Sequence, residues 1–260
     1  MPDPGLMGVS MPVVTAAKRA LWSTRQDRTI HAVWLGVFWV GILAGFGLDM
    51  KPFLSQPVPK IVYVHAAVYV GWLLLLTVQV LLVMKDRVSL HRRLGKLTAG
   101  YAVLVVLLGP PTALAVLARL QGLNILPPQF FSVNLVDVAG FAVMFAWAIA
   151  MRRNPVVHKR LILAAMVAFA DPGFSRITGN LMLEPKAIWP WFWYMFYGNV
   201  LLAVMMLAWD LWRYRRVVWQ FAVGAGAVLT SDVWATAMYF DPSWKSSMTH
   251  LVDTWARMTR

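Results

Sequence analysis

The chain has 260 residues, of which 60% are hydrophobic and only 13% charged, with 14 tryptophans and a formal charge of +13. A soluble domain of this size cannot accommodate that composition, so the sequence reads as an integral membrane protein. The lack of any cysteine excludes disulfides, thiolate metal sites and iron–sulfur clusters, and leaves His, Asp, Glu or Met as the only metal ligands.

Residues 1–28 lack the apolar core and small-residue cleavage site of a secretory signal, and are expected to form a cytoplasmic tail. A bilayer-crossing helix needs roughly 20 apolar residues. Seven runs qualify, at about 30–49, 61–84, 96–118, 131–151, 160–178, 190–212 and 217–239. The expected fold is therefore an all-α polytopic bundle over 29–240, with no second domain. Sixteen of the 24 Lys and Arg fall in the tail, at 85–96, at 152–160 and at 213–216. That pattern marks topology rather than nucleic-acid binding: by the positive-inside rule these segments and the N-terminus face the cytoplasm, and an odd helix count places the C-terminus outside. In the segment 241–260, Trp244, Met248, Leu251, Val252, Trp255 and Met258 fall at helical spacing. They suit an amphipathic helix on the outer leaflet, with a frayed terminus as the alternative.

Ionisable side chains inside apolar runs are costly and usually face inward. In the second run His65, Trp72 and Gln79 are seven apart and share one face. Asn134 and Asp137 open the fourth run, and Asp171 and Arg176 flank Pro172 in the fifth. Together His65, Gln79, Asn134, Asp137, Asp171, Arg176 and Asn180 outline an outer polar pocket. Three readings remain open there: a structural ion triad of Asp137, Asp171 and Arg176, a substrate or proton site, and a His-plus-carboxylate metal site.

The tetrad His-Arg-Arg-Leu at 91–94 returns as His-Lys-Arg-Leu at 158–161, each opening an apolar run after a basic loop. Below His91 lie Gly95, Thr98, Ala102 and Gly109; below His158 lie Ile162, Ala165, Phe169 and Arg176. Such stripes permit close helix contact, or leave a slot for heme b with His91 and His158 as axial ligands and Arg92, Arg93, Lys159 and Arg160 near its propionates. The plainer reading is anchoring, with Ser89 and Asn154 as N-caps. His31 could replace either ligand, and His250 is expected in solvent. The aromatic run 189–199 reads as an interfacial anchor or a lipid or quinone headgroup contact. Thr230, Ser231 and Asp232 form the polar cluster of the last run. There is no phosphate loop, HExxH, GxSxG or retinal lysine.

The string VHAAVYVGWLLLLTVQ at 64–79, HRRLGKL at 91–97, RRNPVVHKRLIL at 152–163 and Arg176 resemble a large group of uncharacterised bacterial multi-helix membrane proteins over about 55–180. His65, Gln79, His91, Asp137, His158 and Arg176 match its motif positions. The resemblance implies the bacterial cytoplasmic (inner) membrane and carries no activity. More remotely, Ser-Leu-His-x-x-Leu-Gly at 89–95 is similar to a helix-start motif of transmembrane diheme b-type cytochromes. In those, four consecutive helices each supply a histidine. Here the fourth run offers Asp137 instead, so the similarity implies at most the inner heme. The leading expectation is a b-type heme electron-transfer protein. The alternatives are a transporter or small-molecule or lipid binder using the outer pocket, or an accessory factor of a respiratory complex.

Overall fold

A computed structural model describes residues 25–48, 58–121, 126–179 and 187–259. These residues form nine α-helices: α1 (Arg25–Leu48), α2 (Lys60–Met84), α3 (Val88–Gln121), α4 (Phe131–Ala150), α5 (Pro155–Val167), α6 (Asp171–Gly179), α7 (Ile188–Tyr214), α8 (Trp219–Phe240) and α9 (Pro242–Met258). A single 3-10 turn, Pro128–Phe130, leads into α4. Six helices are long and apolar enough to cross a membrane, and there are seven if α5 and α6, bent by 44° at their break, count as one span. The protein is thus a multi-pass helical bundle, as composition and run lengths lead one to expect.

Three boundaries differ from the sequence expectation. First, α1 starts at Arg25 and already carries Asp27 inside the bundle, so the bundle begins earlier than residue 29. Second, α3 begins at Val88, eight residues before the expected run, and continues through Pro110 and Pro111. Third, the fifth run breaks after Val167 and resumes at Asp171. The cause of the break is Pro172, which has no N–H to donate to the Ala168 carbonyl and whose ring crowds it. Turn-type bonds bridge the gap instead, from Phe169 N to Met166 O and from Ala170 N to Val167 O.

Glycines seat the short α6. A side chain at Gly45 of α1 would collide with the Gly173 carbonyl, and one at Gly41 or Gly198 would enter the Phe174 ring. Gly41 and Gly45 are four residues apart, a small-xxx-small pairing that lets α6 approach α1 backbone to backbone. In the middle of the bundle α5 is buried on nearly every side through Leu161, Ala164, Ala165, Met166 and Val167. Trp72 of α2 packs edge-on against Phe141 and Phe145 of α4 and donates to Met166 Sδ at 3.3 Å. Phe169, which lies in the stripe below His158, stacks on Phe141 at 4.4 Å and fills the space between α2, α4 and the break.

The C-terminal segment is a helix. Asp241 caps α9 by accepting from Trp244 N at 2.8 Å, and Trp244, Met248, Val252 and Trp255 pack against Leu114, Leu117 and Phe131. Leu251 and Met258 face away from that contact. The aromatic run at the start of α7 divides likewise: Trp189 and Trp193 are exposed, whereas Trp191, Phe192 and Phe196 pack against Val133, Val136 and Ala235.

Candidate functional site

Two clusters of buried polar side chains lie at opposite ends of the bundle. At the basic end meet the start of α1, the α2–α3 turn, the start of α5 and the end of α7. Arg160 of α5, fully buried, forks onto Asp210 of α7, with Nε to Oδ2 at 2.9 Å and Nη2 to Oδ1 at 2.7 Å. Its Nη2 also reaches Asp27 Oδ1 of α1 at 2.9 Å, and Lys159 pairs with the other oxygen of Asp27. His31 Nδ1 donates to the Asp27 carbonyl at 2.6 Å. Beside them Arg28 donates to Asp86 Oδ1 at 2.5 Å and to the Val83 carbonyl, tying α1 to the α2–α3 turn.

This network engages two of the four candidate cations. Lys159 and Arg160 do not stand ready for a cofactor's propionates; a guanidinium with no exposed surface needs a bidentate acceptor, and Asp210 with Asp27 supplies it. Only Arg92 and Arg93 of the four cations are solvent-exposed. Asp27 and Asp210 were invisible as partners, although Asp210 is a lone acid in an apolar run, which is itself a signal.

The repeated histidines do meet. The rings of His91 and His158 lie 6.5 Å apart between centroids, with planes at 73°. His158 Nδ1 donates to the Ala148 carbonyl at 2.8 Å, while Asn154 caps α5 by accepting from Val157 N, as expected. Gln79 belongs here and not to the outer pocket. With its nitrogen toward His91 it donates to Nδ1 at 2.5 Å, and its oxygen accepts from Thr98 Oγ1 at 3.1 Å and Gly95 N at 3.0 Å. The seven-residue stripe of α2 thus reaches from His65 to Gln79, and its two ends join different clusters.

The opposite end gathers acids. Asp137 of α4 and Asp171, in the first turn of α6, lie close enough for their carboxyl groups to interact, and Asp232 of α8 stands within electrostatic reach of both. All three are at most 5% exposed. Asp232 Oδ2 accepts from Asn199 Nδ2 at 3.0 Å, and Oδ1 atoms of Asp137, Asp171 and Asn199 have no hydrogen-bond partner among the described residues. His65 enters at one remove: it stacks on Tyr69 at 3.9 Å, and Tyr69 lies within reach of Asp137 while donating to the Val105 carbonyl at 3.0 Å. Arg176 acts on Asp171 electrostatically, donates to the Pro172 carbonyl and lies 4.3 Å from the Phe46 ring centre. Asn134 is half-buried nearby in sequence, and Asn180 lies outside the described residues. Asp232 and Asn199 join this cluster from α8 and α7, whose place in the bundle the sequence does not give. Among the described residues no three His, Asp or Glu side chains are arranged to hold a metal ion.

Compared with protein-family models, curated proteins and solved structures, the chain matches none. Its function must therefore be read from these two ends.

Proposed function

We propose that the protein is a membrane transporter that carries a proton on the Asp137–Asp171 pair, with the basic end toward the cytoplasm and the acid cluster in the outer half of the bilayer. One observation carries this reading: two buried carboxyl groups from different helices, Asp137 and Asp171, lie within interaction distance beside the break between α5 and α6. A hydrogen bond between two carboxyls exists only while the pair holds a proton. Removing that proton leaves two like charges facing each other in a medium of low dielectric, and the α5–α6 break gives the pair a place to separate. Broken helices at mid-membrane depth are where transporters place their coupling-ion sites. A proton also needs no cavity. Infrared difference spectra between acid and alkaline pH should show a protonated-carboxyl band that disappears in Asp171→Asn, and proteoliposomes under an imposed potential should take up protons faster than empty ones. A spectrum unchanged by Asp137→Asn and Asp171→Asn, or wild-type uptake no faster than empty liposomes, overturns the reading.

The spacing of His91 and His158 favours a second reading, b-type heme ligation at the basic end. Two imidazoles sharing one metal at about 2 Å per bond place their centroids about 6 Å apart, near the 6.5 Å found. The surroundings oppose it: His91 Nδ1 accepts from Gln79, which puts the ring proton on Nε2, the nitrogen a metal would need. A reduced-minus-oxidised absorption spectrum of the purified protein decides it.

A further inference from the structure

The two copies of the repeated tetrad use their cations differently. In the second copy Lys159 and Arg160 turn inward onto Asp27 and Asp210. In the first copy Arg92 and Arg93 are exposed, and Lys96, one turn further along α3, is exposed beside them. Among the described residues no carboxylate pairs with any of these three, and Asp86, the acid of the α2–α3 turn, is taken by Arg28. The same face continues below the charges as apolar surface. Residues 93, 97, 100, 104 and 107 follow one another at steps of four and three, so they form one stripe down α3. All five are exposed, Leu97 to 72% and Leu107 to 63%. Gly100 notches the stripe between Leu97 and Leu104: a side chain there would meet no atom within 4 Å.

We infer that this face of α3 binds one anionic phospholipid of the leaflet at the basic end, with its phosphate on Arg92, Arg93 and Lys96 and an acyl chain along the notch at Gly100. Guanidinium and ammonium groups are donors without acceptor capacity, so the partner that satisfies them is an anion, and arginine matches phosphate bidentately. Segment 85–96 carries five cations against the single acid Asp86, a density that selects an anionic headgroup over a zwitterionic one. The apolar stripe directly below the charges calls for a ligand with a hydrocarbon chain, which separates a lipid from a soluble anion. The chain's own residues 1–24 do not supply the complementary charge, because they hold Asp3 against Lys18 and Arg19.

Native mass spectrometry of the full chain in detergent, titrated with phosphatidylglycerol or phosphatidylcholine, tests this site. Phosphatidylglycerol should be retained preferentially. Arg92→Gln, Arg93→Gln and Lys96→Gln should each weaken its retention about fivefold, and the three together about a hundredfold, as expected for cations at a membrane surface. The paired control Arg152→Gln with Arg153→Gln removes two exposed cations of the α4–α5 turn at the same end and should change retention little. Equal retention of both lipids overturns the proposal. So does a loss in the control as large as in Arg92→Gln with Arg93→Gln, which would mean that charge at that end acts without a site, or displacement of the lipid by inorganic phosphate at matching concentration. Benzoylphenylalanine in place of Val103, exposed on the same face, gives a readout independent of affinity. Crosslinks to phosphatidylglycerol that the triple variant lacks support the stripe; crosslinks that persist in it, or that join two copies of the protein, refute it.

Discussion

At the basic end two acids, Asp27 and Asp210, meet two bases, Lys159 and Arg160; at the opposite end Asp137, Asp171 and Asp232 meet one another. Both groups are buried, so both lose their hydration. The first recovers it through hydrogen-bonded ion pairs on each acid, whereas the second has Arg176 acting on Asp171. The bonds of the first join α1, α5 and α7, three helices remote in sequence, and its geometry is that of a clamp. The second leaves buried carboxyl oxygens without partners at the point where a span is broken, which is poor design for stability and suitable design for binding a cation.

The largest effect should follow from breaking the clamp on one side. Asp210→Ala leaves the Arg160 guanidinium buried with half its acceptors and should cost about 3–5 kcal/mol, the usual penalty for an uncompensated interior charge. Unfolding by denaturant in mixed micelles measures it. The paired replacement Arg160→Met with Asp210→Leu removes both charges and should recover most of the loss. A single variant as stable as wild type would mean that the end is wet and that the clamp contributes nothing.

That clamp shows where the sequence is and is not legible. Run length and basic loops give the span number and bring the loops to one end, because each helix is written locally. The pairing of Arg160 with Asp27 spans 133 residues and that with Asp210 spans 50. Hydropathy holds no record of which helices are neighbours, so Asp27 was assigned to a tail and Lys159 and Arg160 to a cofactor. Asp137 and Asp171 could be assigned to one pocket from their depth alone. Asp232 could not be placed with them, since its depth matches but its helix could have sat anywhere in the ring. The break was half legible: Pro172 marks it, but the interruption falls upstream, where the carbonyl it cannot satisfy lies.

A smaller effect should come from the seat of α6. Replacing Gly45 by Leu forces a side chain into the Gly173 carbonyl and should cost about 1–3 kcal/mol, as overpacking does, while displacing Asp171 from Asp137. If proton uptake survives Gly45→Leu undiminished, the position of α6 does not matter to the acid pair. Smaller still is the coupling within that pair. Asp137→Asn and Asp171→Asn each replace one carboxyl of the proton-sharing pair by an amide and should change stability by less than about 1 kcal/mol, with non-additivity beyond the roughly 0.5 kcal/mol scatter of independent sites. Asp137→Asn combined with Asp210→Ala, at opposite ends, should be additive. Coupling across the length of the bundle would show that the two clusters are one system.

The smallest effect concerns a carboxylate that lies outside the membrane-spanning helices. Asp241 accepts from the Ser243 hydroxyl and from Trp244 N at the start of α9, and these bonds hold its pKa below the usual carboxylate range. Because the folded form favours the ionised group, its contribution is complete above the ordinary carboxylate pKa and is lost as pH falls through the lower folded value. The cap, unlike either buried cluster, is fully exposed to solvent and salt. Acidification should therefore release only the first turn of α9, with Trp244 leaving the Gln129 carbonyl to which its indole donates at 3.0 Å. Tryptophan fluorescence compared between wild type and Trp244→Phe should report that step. Asp241→Asn should lose the pH dependence and keep part of the cap, since an amide oxygen still accepts from Trp244 N. A titration identical in Asp241→Asn would assign the step to another group and leave α9 held by its contacts with Leu114, Leu117 and Phe131 alone.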